Sequence, residues 1–214
     1  MLTLEKCHEQ PQSQPLSPLK RTFDLVVGSL LLLLLSPLVL AVTLFIKIVD
    51  GGPIFYISER SGREGLPFRF PKFRTMTLGA DEEIPFLLKN NIYSHPKMFK
   101  IKEDPRITWW GKILRRFSID ETPQLFSVLK GDMTLVGPRP PLPSEVTHYT
   151  PSERRRLHVT PGLTGLWQVS GRSNLSFEEQ LKLDLTYIET QSFKLDLLIL
   201  LKTIPTVLTG RGAY

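Results

Sequence analysis

Residues 23–48 read FDLVVGSLLLLLLSPLVLAVTLFIKI, and this apolar stretch decides how the rest of the chain is organised. No charged side chain occurs from Leu25 to Ile46. As a helix that rises about 1.5 Å per residue, these roughly 22 residues would be about 33 Å long. The stretch is therefore long enough to cross a bilayer.

The centre of the stretch carries a break, Ser36-Pro37. Pro37 has no N–H to donate to the carbonyl of Leu33, and its ring crowds that turn, so a kink is expected there. The hydroxyl of Ser36 can satisfy a carbonyl that the proline leaves free.

Basic residues, which normally mark the cytoplasmic side of a membrane segment, lie on both flanks of the stretch. They are Lys20, Arg21, Lys47, Arg60 and Arg63. Both ends can therefore face the cytoplasm. We predict a re-entrant membrane helix over residues 20–49, with a single-pass helix kinked at the proline as the alternative.

Composition limits the partners and the compartment. The 214 residues carry a formal net charge of +6, which favours anionic partners such as nucleic acid, acidic lipid headgroups or phosphorylated substrates. The single cysteine, Cys7, excludes an internal disulfide framework and favours a reducing compartment. We expect a flexible polar tail over residues 1–19 and one catalytic domain on the cytoplasmic face over residues 50–214.

Local patterns predict several elements after the membrane segment. Residues 54–60 and 66–74 flank a turn as a β-hairpin would, and Lys72 and Arg74 would then share a face as a cationic pair. Asp104 followed by Pro105 predicts a helix that runs to Arg116. Its Trp109 and Trp110 suit either a membrane interface or a core. Residues 79–103 indicate a helical excursion or a mobile loop, and residues 195–208 suit the membrane surface.

The candidate chemistry lies at Asp120-Glu121, because the sequence has no zinc-spaced Cys/His cluster, P-loop or nucleophile elbow. The two acids stand where a new helix begins. The common structural explanation of such a pair is helix capping. Asp120 would be the N-cap, or Ser118 and Glu121 would form a capping box. Arg115 before the pair, and Arg139 held between two prolines after it, instead favour phosphate chemistry.

The motifs together resemble one family. They are Lys72-Phe73-Arg74-Thr75-Met76, Asp120-Glu121-Thr122-Pro123-Gln124-Leu125, Pro138-Arg139-Pro140 and residues 161–168, PGLTGLWQ. With the Ser36-Pro37 break, this pattern is similar to the bacterial monotopic phosphoglycosyl transferases, also called bacterial sugar transferases, from Lys20 to about Leu208. Longer members carry further membrane spans and an N-terminal domain, and we expect this chain to be a minimal catalytic unit.

The resemblance implies an enzyme at the cytoplasmic face of the bacterial inner membrane. It would move a sugar 1-phosphate from a UDP-sugar to polyprenyl phosphate and release UMP, in the first membrane step of exopolysaccharide or lipopolysaccharide assembly. The resemblance further implies that Asp120 is the covalent nucleophile and that Asp120 and Glu121 hold Mg²⁺. The substrate-binding residues that it implies are Lys72, Arg115, Arg139 and Asp184, with Pro138 and Pro140 stiffening the segment around Arg139.

The expected fold is α+β, a helix-rich single domain with an N-terminal re-entrant membrane helix and interfacial amphipathic helices. The expected partners are the UDP-sugar donor, the polyprenyl phosphate acceptor and membrane lipids. No nucleic acid is expected, and the chain can form a homo-oligomer. A non-enzymatic, membrane-anchored basic adapter that binds acidic lipid or nucleic acid through residues 154–156 is the competing hypothesis. It does not explain the Asp120-Glu121 pair. The sugar and the glycan pathway stay open.

Overall fold

A computed structural model describes residues 16–87, 91, 101, 103–210 and 212–213. The first helix, α1, runs from Pro18 to Asp50 as one uninterrupted element that contains Pro37. The Ser36 hydroxyl donates to the Leu33 carbonyl at 2.7 Å, as predicted for the proline break. Most of the predicted tail, residues 1–15, lies outside the described residues.

Helix α1 lies along the rest of the domain. Its first half packs against the main core through apolar side chains that include Phe23, Val27 and Leu31. Its second half buries Val42 and Ile46 in a second cluster. Many of its other apolar side chains are exposed, and α1 is the one helix in the described part of the chain that is long and apolar enough to cross a membrane.

Polar contacts tie the start of α1 into the domain. The Lys20 ammonium donates to Asp196 at 2.5 Å and to the Tyr187 hydroxyl at 2.9 Å. One helical turn after Lys20, the buried Asp24 carboxylate accepts from the Thr134 hydroxyl at 2.6 Å. Because the partners belong to distant parts of the sequence, α1 is an integral part of the fold rather than a detached anchor.

The predicted hairpin is confirmed as strands β1, Phe55–Ser61, and β2, Pro67–Phe73, which pair antiparallel. The predicted pair of Lys72 and Arg74 is wrong, because β2 ends at Phe73 and the strand alternation ends with it. Lys72 contacts Glu121, whereas Arg74 forms an ion pair with Asp50 at the end of α1.

The helix predicted from Asp104 starts later. A short helix, α2, spans Ile84–Leu87, and α3 spans Trp109–Arg116 with Thr108 as its N-cap. Asp104 does not cap α3, because its carboxylate is bound by Arg106 at 2.7 Å and 2.9 Å. Trp110 is buried and Trp109 is 61% exposed, so the two tryptophans divide between core and surface. Much of the predicted excursion, residues 88–90, 92–100 and 102, lies outside the described residues.

Neither predicted cap forms at the acidic pair. Residues Ile119–Gln124 form a 3₁₀ helix, and α4 follows at Leu125–Lys130 with Gly131 at its end. Ser118 adopts a φ of 54° and makes no side-chain cap. Its hydroxyl instead accepts from the Arg172 guanidinium at 2.5 Å. A charged donor from a distant segment therefore replaces the local capping box.

A second small sheet positions the turn that carries Arg139. Strands β3, Thr134–Val136, and β4, Gly162–Thr164, pair in parallel. A Cβ atom on Gly162 would lie 2.0 Å from the Gly137 nitrogen, so the two backbones approach this closely only because both residues are glycines.

The remaining helices complete a helix-rich α+β fold, as predicted. They are α5 (Pro143–Val146), α6 (Pro151–Arg154), α7 (Leu166–Ser170), α8 (Phe177–Thr190) and α9 (Phe193–Thr209). Helix α9 exposes Leu197, Leu201 and Leu208 while it buries Ile199. This apolar exposure suits the membrane-surface position predicted for residues 195–208.

Candidate active site

Three predicted site residues meet at Glu121. The Lys72 ammonium on β2 lies 2.7 Å from Glu121 Oε1, and Arg139 Nη2 lies 2.7 Å from the same oxygen. Arg139 Nη1 also donates to Oε2 at 3.3 Å. The Glu121 carboxylate therefore holds an ammonium from the hairpin and a guanidinium from the β3 turn in one place.

These contacts determine the protonation of Glu121. Burial alone raises the pKa of Glu121, but the charges and hydrogen bonds of Arg139 and Lys72 outweigh burial and hold that pKa well below its usual range. Burial lowers the pKa of Lys72, and the charge of Glu121 only partly offsets this. Glu121 is thus a permanent carboxylate near neutral pH and a poor proton acceptor.

Asp120, the adjacent acid, is in a different state. Its side chain has no hydrogen bond or ion pair within the part of the chain that the structure describes, although the residue is only 6% exposed. Burial raises the pKa of Asp120 and the charge of Glu121 raises it further, whereas Lys72, Arg115 and Arg139 lower it. Of the two acids, Asp120 is the one whose oxygens are available to react.

Two arginines flank Asp120 without binding a carboxylate. Arg115 Nε donates to the Thr75 hydroxyl at 2.9 Å, and the charge of Asp120 partly offsets the burial that lowers the pKa of Arg115. The Arg172 side chain donates to Ser118, and its Nη1 has no partner among the described residues. Arg172 is not among the residues predicted from sequence. Its position just after the 161–168 motif, behind Gly171, is the one signal that could have indicated it.

The turn of Arg139 is anchored through backbone carbonyls. The Pro138 carbonyl accepts from the Gly162 nitrogen at 2.8 Å, and the Pro140 carbonyl accepts from Arg60 Nη1 at 3.3 Å. Both prolines flank Arg139, and their rings restrict the backbone there; their supporting role in substrate binding stays a prediction. Arg60, predicted only as a flanking charge of the membrane segment, lies at the site.

Asp184 is not brought to the acidic pair. It is fully buried in α8 and forms an ion pair with Arg156, which in turn donates to the Arg139 carbonyl at 3.4 Å. Burial raises the pKa of Asp184 to about 6, and the charge of Arg156 opposes this rise. The structure therefore connects Asp184 to the site through Arg156, behind the Arg139 turn, and shows no direct contact with Asp120 or Glu121.

Positive charge exceeds negative charge around the acidic pair. In the described part of the chain, five cations act on Asp120 and Glu121: Lys72, Arg60, Arg115, Arg139 and Arg172. Within the described residues, three of these have no carboxylate at ion-pair distance: Arg60, Arg115 and Arg172. Because enclosed charges are costly without a partner, the arrangement suits an anionic ligand that carries more than one negative charge.

The donor set also limits how a metal could bind. No group of three or more His, Cys, Asp or Glu side chains among the described residues could hold a metal ion. Mg²⁺ commonly binds through one or two carboxylates together with substrate phosphates and keeps several waters. Asp120 and Glu121 are consecutive carboxylates, and with a diphosphate substrate they would supply the number of protein ligands in that pattern.

Comparisons with known proteins point to one family. The model of the family described as bacterial sugar transferase matches residues 16–210. The exopolysaccharide production protein ExoY of Sinorhizobium fredii is 41% identical over 91% of this chain and 88% of that protein. The undecaprenyl-phosphate galactose phosphotransferase of Salmonella typhimurium is 44% identical over 92% of this chain, but over only 42% of its own length. The UDP-glucose:undecaprenyl-phosphate glucose-1-phosphate transferase of Caulobacter vibrioides is 38% identical over 91% of this chain and 72% of that protein.

The family match and the geometry converge on the same segments. The matched region contains α1, the hairpin, the acidic pair and the Arg139 turn. With a family model that covers nearly the whole chain and relatives such as ExoY matched over most of their length, the protein belongs to the bacterial sugar transferase family.

Proposed function

We propose that this protein transfers a sugar 1-phosphate from a UDP-sugar to polyprenyl phosphate, producing a polyprenyl diphosphate sugar and UMP. The observation that carries the proposal is the buried Asp120 carboxylate, which has no ion pair among the described residues and lies beside Glu121 and the five cations named above. The Salmonella and Caulobacter relatives, which are named as undecaprenyl-phosphate galactose and glucose-1-phosphate transferases, support the same reaction class.

The proposed chemistry has two steps. An Asp120 oxygen attacks the phosphorus that bears the sugar, and the bond from that phosphorus to the bridging oxygen breaks, so that UMP leaves with the electron pair. A phosphate oxygen of the polyprenyl acceptor then attacks the same phosphorus and releases the Asp120 carboxylate. When the acceptor reacts as a dianion, neither step requires a proton transfer.

The other residues position and screen charge. Glu121 keeps Lys72 and Arg139 in place, and Lys72, Arg115, Arg139 and Arg172 stabilise negative charge on the diphosphate. Mg²⁺, held by Asp120 and Glu121 together with the substrate phosphates, would screen the repulsion between carboxylate and diphosphate. This assignment makes Glu121 an organising residue rather than a general base.

Release of UMP tests the proposed function. Purified protein in detergent, given UDP-sugars, polyprenyl phosphate and Mg²⁺, is expected to release UMP. EDTA should stop the release and added Mg²⁺ should restore it, because removal of the metal takes away the screening that Mg²⁺ would supply between carboxylate and diphosphate. Chromatographic detection of UMP over a panel of UDP-sugars measures this and identifies the sugar.

Absence of release with every sugar would favour the basic adapter. The structure offers that alternative little support, because its proposed basic cluster is largely engaged. Arg156 is buried against Asp184, and Arg155 pairs with Glu189.

We further propose that α1 is re-entrant, with both ends at the cytoplasmic face of the bacterial inner membrane. Its two halves pack against the same domain, and Lys20 anchors its start. If α1 crossed the bilayer, one of its halves would lie away from the domain and could not make its packing contacts. Exposed apolar side chains of α1, α3 and α9 provide the lipid-facing surface.

Cysteine labelling tests this topology. Two proteins are compared, and each has one cysteine. The parent carries Cys7 before α1, and the Cys7→Ser, Arg63→Cys variant carries its cysteine after α1. In intact inverted and right-side-out vesicles, a membrane-impermeant maleimide is expected to label both sites from the cytoplasmic side only. Labelling of the two sites from opposite sides would establish a single-pass helix instead.

A further inference from the structure

Arg60 occupies a distinctive position beside the acidic pair. It lies on β1 opposite Phe68, on the hairpin face that also carries Lys72. Its guanidinium carbon lies 5.2 Å from the centre of the Phe70 ring, and the Lys72 ammonium lies 5.3 Å from the same ring. The buried Phe70 side chain thus holds two cations beside each other, both directed toward the site.

Among the described residues, no carboxylate lies at ion-pair distance from Arg60. Nη1 donates to the Pro140 carbonyl, and the enclosed Nε has no hydrogen-bond partner among the residues that the structure describes. Burial and the nearby charge of Arg139 lower the pKa of Arg60 to about 10, while Glu145 and Glu121 partly offset them. The guanidiniums of Arg60 and Arg139 therefore repel each other, and the nearby carboxylates compensate this repulsion only in part. An anion bound between them would relieve it.

The cations divide into two groups around the reacting centre. Arg60 Nη1 donates to the carbonyl of Pro140, the residue after Arg139, and this contact places Arg60 on the Arg139 side. Arg115 instead contacts the Thr75 hydroxyl. A second phosphate can therefore bind at Arg60 and Arg139 while the transferred phosphoryl group lies at Asp120.

A phosphate position at Arg60 and Arg139 would serve both steps of the proposed reaction. UMP departs from, and polyprenyl phosphate attacks, the same phosphorus on the side opposite Asp120, because displacement at phosphorus is in line. Both are phosphate monoesters. We propose, on the basis of the two-step function above, that Arg60 and Arg139 form one phosphate monoester subsite that serves the UMP phosphate in the first step and the acceptor phosphate in the second.

The covalent adduct allows both uses to be measured on one species. Full-length protein in detergent is loaded with UDP-sugar and Mg²⁺, freed of nucleotide, and then challenged either with polyprenyl phosphate or with UMP, which runs the first step backwards. Decay of the adduct, followed by intact mass, gives the concentration of each phosphate at half-maximal rate. The variants are Arg60→Met and Arg60→Lys.

Arg69→Met is the matched control. Arg69 lies on the same hairpin opposite Glu59, on the other face from Arg60, and it is exposed. We expect Arg60→Met to raise both half-maximal concentrations about 10- to 100-fold, the usual effect of losing a charge-assisted hydrogen bond. Arg60→Lys should recover part of the loss because it restores charge without the planar fork. Arg69→Met should change neither concentration.

An increase for only one of the two phosphates, or for neither, would overturn the shared subsite. Full loading of Arg60→Lys with adduct shows that the variant is folded, so a defect confined to the challenge step is a binding defect. Failure of the unmodified protein to form any adduct would overturn the covalent mechanism and the subsite with it. If the unmodified protein forms the adduct, the half-maximal concentrations of the Arg60 variants test the subsite alone.

Discussion

Replacement of Asp120 by asparagine is expected to abolish the covalent adduct and to lower turnover by at least about 10⁴-fold, the scale seen when a catalytic nucleophile is lost. The amide has nearly the same shape, but its electron pair is delocalised and it cannot form an acyl phosphate. Because Asp120 makes no ion pair in the described structure, the change should leave the contacts of Lys72 and Arg139 with Glu121 intact. Intact mass after exposure to UDP-sugar and Mg²⁺ measures the adduct.

The pH dependence of adduct formation provides a second measurement on the same residue. Burial and the charge of Glu121 raise the pKa of Asp120 above the ordinary 3.8. The reactive form is the carboxylate, so the rate should fall as pH decreases through this raised pKa, at a higher pH than for an ordinary aspartate. A turnover-competent Asp120→Asn enzyme, or ternary-complex kinetics without a trappable adduct, would refute the covalent mechanism.

Replacement of Asp184 by leucine is expected to lower the free energy of unfolding by about 3–5 kcal/mol, the usual cost of leaving one member of a buried ion pair alone. Asp184 is fully buried, and its partner Arg156 is nearly so. The matched control is Glu189→Leu on the same helix, which removes the partner of the neighbouring Arg155. That pair is exposed, with 39% and 57% of the two side chains accessible, so the control should cost no more than about 1 kcal/mol.

Thermal or denaturant unfolding of both variants in detergent measures the difference. Equal stabilities for the two variants would contradict the buried-pair assignment. If Asp184→Leu were as stable as the parent and yet inactive, Asp184 would contact substrate, as the family resemblance implies. The unfolding measurement therefore separates the two roles of Asp184 that sequence and structure suggest.

Local patterns were reliable where the chain interacts with its near neighbours. The apolar run and the Ser36-Pro37 break predict the position of α1 and the hydrogen bond from Ser36 to Leu33, three residues away. Strand alternation around a turn predicts the β1–β2 hairpin. In each case a few adjacent residues contain the information, since helix and hairpin geometry depend on short spacings.

The cap predicted at Ser118 failed because a distant partner replaced a local one. Ser118 carries the side chain of a helix cap, yet its hydroxyl accepts from the Arg172 guanidinium. A guanidinium is a stronger partner for an oxygen acceptor than a backbone N–H, so this long-range contact prevails over the local cap. At Asp104 the replacement is local, because its carboxylate accepts from the backbone and the side chain of Arg106, and Thr108 caps α3 instead. Nothing near Ser118 in the sequence indicates that Arg172 will reach it.

The sequence by itself determined the family, the membrane helix and the residue types of the site, because motifs and hydrophobic runs are continuous along the chain. Only the tertiary structure decided what each acid does. It surrounds Glu121 with Lys72 and Arg139, leaves Asp120 without an ion pair in the part of the chain that the structure describes, and places Asp184 behind Arg156. These roles depend on burial and on charges brought together from segments far apart in sequence, and electrostatic interactions follow distance in space rather than position along the chain.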